Sequence, residues 1–273
     1  MTRFVLASDL DRTLVHSAAR LAPGEDAPVV EIYKGRGITV TRQATIDALA
    51  ELAADGAFVP VTTRSREQMA RITPVWEAAL QGYAICANGA TLLHRGELDT
   101  EWNAEVDRIC SESSPLEETT MLIEQELGSP GSVGWITDLR GVDGHFLYLT
   151  LDLSLTPDGL EEMANAVIAH LGWDAVLHGR KLYCLPHGVC KGMAAAHLRE
   201  RLQIEQLMAA GDSVLDIELL LEAEHRWCPV DAELVEMDRV PEGTRLTDHG
   251  HVGAGEQIAT DALRFARGEL AAR

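Results

Sequence analysis

Apolar runs that stop abruptly in a charge or a hydroxyl recur along this chain. The first is Phe4-Val-Leu-Ala-Ser8, which ends in Asp9-Leu-Asp11. A continuous apolar run of this length predicts a buried strand, and its sudden end delivers two carboxylates to the edge of a sheet, where open α/β sheets keep their sites. Ala57-Phe-Val-Pro-Val61 ends in the same manner, at Thr62. Between the two runs, Thr41 precedes Ile46, Leu49, Ala50, Leu52 and Ala53, whose spacing gives one apolar helical face, and Asp55-Gly56 closes the helix. Strand, helix and strand in that order imply a parallel sheet with right-handed crossovers. Residues 15–40 are rich in Gly, Pro and charge, and predict a loop carrying a hairpin at Val29–Tyr33 and Gly37–Val40, with Lys34 and Arg36 solvated at its tip. Ser65 opens a further helix as its cap, and the run 82–87 predicts a third strand that ends in the turn pair Asn88-Gly89.

From about Leu98 to Leu185 the pattern changes. Helical stretches at 101–112, 115–127 and 157–171 alternate with strand-like runs at 134–137, 145–151, 175–177 and 181–185. A block with its own helices and strands predicts an inserted α/β domain, here residues 99–185, flanked by a core formed from 1–98 and 186–273. The strand-then-helix order returns with Lys191 at the start of a helix over Met193–Leu202, and Leu207–Ala210 then forms a strand ending at Gly211-Asp212. A short helix over 217–223, edge strands at Trp227 and Arg245, and a closing helix over 255–268 complete the chain. The predicted class is α/β, a Rossmann-like parallel-sheet core with an inserted α/β cap domain.

Composition narrows the partners. Of 273 residues, 43 are acidic and 23 basic, a formal net charge of −20, which argues against nucleic acid or an anionic membrane surface because both need clustered cations. An anionic substrate must therefore be drawn in by local features. The five cysteines, Cys86, Cys110, Cys184, Cys190 and Cys228, are odd in number and widely spaced, the pattern of reduced thiols. No segment approaches eighteen apolar residues and the first run is too short for a signal-peptide core, so the expected location is cytoplasmic.

A lone Asp-x-Asp carries little weight, but four stretches stand in order: Asp9-Leu-Asp11, Thr62-Thr-Arg-Ser65, Gly188-Val-Cys-Lys-Gly192 and Gly211-Asp-Ser-Val-Leu-Asp216. Together they resemble the motifs of the haloacid dehalogenase superfamily of aspartate-nucleophile phosphatases. The insertion point between the threonine strand and the lysine, with Asn88-Gly89-Ala90 before it, resembles the Cof-like branch with a large α/β cap. The resemblance implies a nucleophilic carboxylate at Asp9, and a general acid and base at Asp11. It further implies phosphoryl contacts from Thr62, Thr63 and Asn88, with the Lys191 ammonium set against Asp9 and the phosphoryl group. A Mg2+ ion is expected on Asp9, the Asp11 carbonyl and Asp212, with Asp216 ligating it or orienting waters and Lys191.

The chain departs from the pattern at three places. Arg12 and Thr63 stand where glycine is usual, and Leu215 where asparagine is. Arg12 implies a turn that does not need positive φ, and Arg64 is expected to hold its loop or an acidic neighbour. In the insertion, His145, Arg180 and Lys181 are polar residues at strand-like edges and the candidates for substrate recognition. The expected activity is Mg2+-dependent hydrolysis of a small phosphorylated metabolite, a sugar or sugar-like phosphate, through an aspartyl-phosphate. A phosphomutase, or a non-catalytic metabolite-binding or partner-binding protein retaining the fold, stands as the alternative.

Overall fold

The computed structural model describes residues 4–22 and 24–269. They divide into two compact units, one formed by the chain up to Asp99 and again from Cys190 onward, the other by Thr100–Val189. The first unit is built on a five-stranded parallel sheet in the order Arg245–Leu246, His225–Cys228, Gln206–Ala210, Phe4–Ser8, Phe58–Pro60. From Phe4–Ser8 the chain first builds outward to Phe58–Pro60 and later returns to the other side, so the strand order reverses beside Phe4–Ser8. In doubly wound sheets the crevice at the carboxyl ends of such strands is where ligands bind.

Burial explains why the first strand is apolar throughout. Leu6, Phe58 and Met208 join a cluster with Leu49, Leu52 and Ala53 of the helix Gln43–Ala54 and with Ile258, Ala259 and Ala262 of the helix Val252–Ala266. The alternate residues Val5, Ala7, Leu207 and Ala209 are buried as well. A parallel strand covered on both faces shows no alternation, and each Leu so placed contributes about 1.5–3 kcal/mol from removal of its surface from water.

The third predicted strand forms as Tyr83–Cys86. Tyr83–Cys86 pairs antiparallel with Thr91–His94, which pairs in turn with Glu97–Leu98, and a parallel bridge between Val61 and Ile85 links it to the parallel sheet. The turn at Ala87–Gly89 sends the chain straight back, so the next segment becomes the nearest available edge. The hairpin after the first strand is present as Val29–Tyr33 against Arg36–Val40, with His16–Ser17 on its other edge. Lys34 and Arg36 are exposed.

One expectation is overturned. Arg12 has φ of +68°, so the turn after the first strand does need the left-handed region. Two bonds offset the strain of a β-carbon there: its backbone N–H donates to Val15 O at 2.8 Å, and its guanidinium Nε lies 3.4 Å from Asp212 Oδ2.

The second unit is a four-stranded antiparallel sheet in the order Trp173–His178, Lys181–Pro186, Phe146–Leu151, Ile136–Val142, with helices Thr100–Cys110, Leu116–Glu126 and Leu160–Ile168. Its edge strand is held by side chains. Asn165 exchanges two 2.8 Å hydrogen bonds with the backbone of Ala175, and Glu161 accepts from Leu177 N at 2.6 Å. Helix residues thereby satisfy groups that an open edge would leave unpaired. Among the described residues, no helix is long and apolar enough to cross a membrane, and the five cysteines carry free thiols.

Candidate active site

Asp9 continues the ladder one residue past the first strand, its N–H donating to Ala210 O at 2.9 Å, so its position is set by the sheet itself. The neighbouring strand ends at Ala210, and Asp212 follows it at the same edge. The capped turn that comes next returns Asp216 toward both. Carboxylate oxygens of Asp9, Asp212 and Asp216 lie within 4.8 Å of one another, and all three residues are buried. Lys191, at the start of the helix Lys191–Leu202, is 1% exposed and donates to Asp9 Oδ1 at 2.6 Å and to Asp216 Oδ1 at 2.5 Å. A cation at a helix N-terminus opposes the macrodipole, and the two carboxylates supply the compensating charge.

Two glycines bring that lysine into place. At Gly89, with φ of +100°, a β-carbon would lie 2.1 Å from Cys190 O, and at Gly192 one would lie 2.6 Å from the Glu218 backbone. The helix bearing Lys191 can pack so closely only because both positions lack side chains.

The three carboxylates are not equivalent. Asp216 is fully engaged: Oδ1 holds Lys191, while Oδ2 accepts from Asp212 N, Ser213 N and Ser213 Oγ at 3.1, 3.0 and 2.9 Å. Burial raises its pKa, but Lys191 and the Ser213 donors outweigh that and hold it below the usual carboxylate range. Asp9 is pushed up to about 7, chiefly by burial and then by its acidic neighbours Asp216 and Asp11, against the opposing pull of Lys191. Asp212 is raised well above its ordinary value by burial and by Asp9 and Asp216. Its Oδ2 is buried and accepts no hydrogen bond among the described residues. Three acidic groups face the buried Lys191 ammonium, and Asp212 Oδ2, which has the Arg12 guanidinium at 3.4 Å but accepts no hydrogen bond among the described residues, is the kind of donor a hard divalent cation takes.

Thr62 lies two residues past the strand Phe58–Pro60. It is buried, its N–H donates to Ile85 O at 2.9 Å, and its Oγ1 accepts from Arg64 N at 3.1 Å, which leaves the hydroxyl proton directed elsewhere. Thr63 beside it is half-buried. Asn88 donates its N–H to Thr62 O at 3.0 Å and adopts φ +56°, ψ +32°, a left-handed conformation that Asn tolerates. Its Oδ1 is buried with no hydrogen-bond partner among the described residues.

Asp11 lies apart from the buried cluster, its side chain 47% exposed, and is gripped by Arg64, whose Nε and Nη2 donate to its two oxygens at 2.6 and 2.8 Å. Arg64 also reaches Glu31, a fully buried carboxylate on the hairpin that sequence reasoning did not single out. Its signal was one acidic residue between Val30 and Ile32 in an apolar strand.

The insertion candidates are not brought together. His145 sits in the turn before Phe146–Leu151, half-buried, which lowers its pKa. Lys181 pairs with Thr150 near the far end of that strand, its ammonium 4.1 Å from the Tyr148 ring centroid. Arg180 precedes it in the turn and is exposed, lining a cavity of about 360 Å³ with Thr137, Leu151, Asp152 and Leu153.

No protein-family model and no curated protein sequence matches the chain. Solved structures do. The sucrose-phosphatase of Synechocystis sp. PCC6803, solved with sucrose and phosphate, is similar with a TM-score of 0.65 at 21% identity, over 96% of this chain and 98% of that one. BT1666 from Bacteroides thetaiotaomicron, described as a phosphatase of the haloalkanoate dehalogenase superfamily, aligns with a TM-score of 0.55 at 17% identity, over 98% and 96% of the two chains. A trehalose-6-phosphate phosphatase related protein aligns with a TM-score of 0.56 at 15% identity, over 97% and 100%. With a parallel α/β core, an inserted α/β unit and near-complete coverage of these neighbours, the chain has the fold of the haloacid dehalogenase superfamily phosphatases.

Proposed function

We propose that the chain hydrolyses phosphomonoesters of small metabolites, sugar or sugar-like phosphates, through an aspartyl-phosphate formed on Asp9. The observation that carries this reading is the buried Lys191 bridging Asp9 and Asp216 beside an Asp212 oxygen that accepts no hydrogen bond among the described residues. A carboxylate kept beside an ammonium at the end of a central strand is oriented, desolvated and reactive, and a purely structural triad would give the buried Asp212 Oδ2 a hydrogen bond rather than only a partly exposed guanidinium at 3.4 Å.

The chemistry follows from the side chains. An Asp9 oxygen attacks phosphorus while the bond from phosphorus to the leaving oxygen breaks, and Asp11 passes its proton to that oxygen. Asp11, now a carboxylate, takes a proton from water as the water attacks the phosphoryl group, which releases phosphate and regenerates Asp9. Lys191 and the Thr62 hydroxyl meet the charge that develops on the non-bridging oxygens. Asp9 and Asp212, with the Asp11 carbonyl that the resemblance implies, would hold Mg2+, which would neutralise phosphoryl charge that a chain of net charge −20 otherwise repels. Asp216 has no oxygen to spare and serves to hold Lys191 and the turn at Ser213.

The sugar-phosphate class is supported by the printed descriptions of two structural neighbours, one bound to sucrose and phosphate and one related to a trehalose-6-phosphate phosphatase. In this reading residues 1–98 and 186–273 supply the phosphate chemistry and 99–185 select the rest of the substrate, with His145, Arg180 and Lys181 as contributing polar groups. The free thiols suit the cytoplasm. The test is a screen of phosphorylated metabolites with and without Mg2+. Release of inorganic phosphate from sugar phosphates in Mg2+ alone supports the reading, and no release from any ester refutes it.

A further inference from the structure

Arg64 joins two carboxylates of opposite character. Its Nε and Nη2 form a planar fork on Asp11, at 2.6 and 2.8 Å, and its Nη1 donates to Glu31 Oε2 at 2.9 Å. Asp11 is half-exposed, whereas Glu31 is fully buried and engaged on every side. Glu31 Oε2 also accepts from Thr39 Oγ1 at 2.6 Å, and its Oε1 accepts from Arg71 Nε at 2.9 Å. Despite its burial, these donors keep its pKa below the usual carboxylate range. The network ties together the turn after the first strand, the hairpin, and the loop after the second strand. Arg64 is itself only 14% exposed and takes a further 3.4 Å contact with Gln68 O.

We propose that Arg64, anchored from behind by Glu31, is a positioning residue that fixes the Asp11 carboxyl group, whose protonated form, with one arm of the fork released, gives its proton to the leaving-group oxygen and whose carboxylate form the full fork then holds. This rests on the phosphatase reading above. A half-exposed aspartate near the end of a strand would otherwise sample several rotamers, and the charge of Asp9, two residues away, opposes its own. A bidentate guanidinium fixes the plane of the carboxylate as well as its distance, which a lysine ammonium cannot do. Glu31 is too deep to meet substrate, and a buried carboxylate is costly to keep. Its contribution is to fix the rear of the guanidinium so that the fork faces Asp11. A fixed Asp11 matters most where the leaving oxygen needs a proton, and little where the leaving group departs as a stable anion.

The test measures single-turnover phenol release from phenyl phosphate and p-nitrophenyl phosphate, in Mg2+, for the wild type, Arg64→Lys, Asp11→Asn and the double variant. Arg64→Lys should slow release from phenyl phosphate by about 100-fold and from p-nitrophenyl phosphate by no more than about threefold. In the Asp11→Asn background the same substitution should add nothing, because the group that it aims is gone. Should Arg64→Lys fail to fold, Asp11→Glu, which shifts the carboxylate out of the fork at a half-exposed position, should give the same leaving-group-selective loss. Equal losses on the two esters, or additive losses in the double variant, overturn the proposal and leave a structural salt bridge. A wild type inert on both esters, and on the metabolite screen, overturns the phosphatase reading and this proposal with it.

Discussion

Lys191 Nζ donates to Asp9 Oδ1 at 2.6 Å across 182 positions of sequence, and both groups are buried. That pair, with Asp216 on the lysine's other side, fixes the centre of the site. Removing one partner of a buried ion pair strands the other.

Lys191→Met should therefore cost both function and stability. Three buried carboxylates would face one another without their ammonium, so urea denaturation in metal-free buffer should show a loss of about 3–5 kcal/mol. Added Mg2+ should recover part of that loss in a concentration-dependent way. An unchanged denaturation midpoint would mean that the ammonium does not compensate the cluster.

Asp212→Ala should weaken metal binding more than it weakens the fold. Wild-type melting temperature should rise with Mg2+ as bound-state linkage requires, and the variant's rise should be largely lost. Chelation of the wild type should remove activity, and restored Mg2+ should return it. Full activity in excess chelator, or an undiminished Mg2+ shift in the variant, would remove Asp212 from the metal site.

Acid stability should depend on His16. It is 4% exposed, its ring tilted against that of His251 with centroids 4.6 Å apart, and burial followed by His251 lowers its pKa from 6.5 to about 4. The unfolded chain binds this proton near pH 6.5 and the folded chain only near 4, so stability is full above 6.5 and declines as pH falls between those values. The loss amounts to about 3 kcal/mol by pH 4. In His16→Asn the slope of unfolding free energy between pH 6.5 and 4 should flatten by that amount, and an unaltered slope would count against a neutral buried imidazole.

The sequence made the strand ends legible because strand ends are where a buried apolar run must meet solvent or ligand. That rule alone leads to Asp9, Thr62 and Asp212. The cap at Ser65 was legible too, and the structure gives it a full capping box with Gln68. Periodicity names an element but not its partner, which is why the antiparallel pairing of Tyr83–Cys86 with Thr91–His94 had no signal in the sequence. Polar residues obscured Ile136–Val142, whose register with Phe146–Leu151 comes from tertiary pairing rather than from its own pattern. Glu31 was invisible because its meaning depends on Arg64, Arg71 and Thr39, which reach it only in the folded chain. Arg12 misled because a left-handed turn is usually marked by glycine, and here a long-range contact to Asp212 supports an arginine.

The central claim is covalent catalysis by Asp9, and acid-quenched mass spectrometry during turnover of a phosphate ester in Mg2+ tests it most directly. The wild type should carry phosphate on the peptide containing Asp9. Asp9→Asn, nearly isosteric and with the cluster otherwise intact, should be folded, unphosphorylated and without measurable turnover. Wild-type-like turnover in Asp9→Asn, or phosphate trapped on a different residue, would contradict the account.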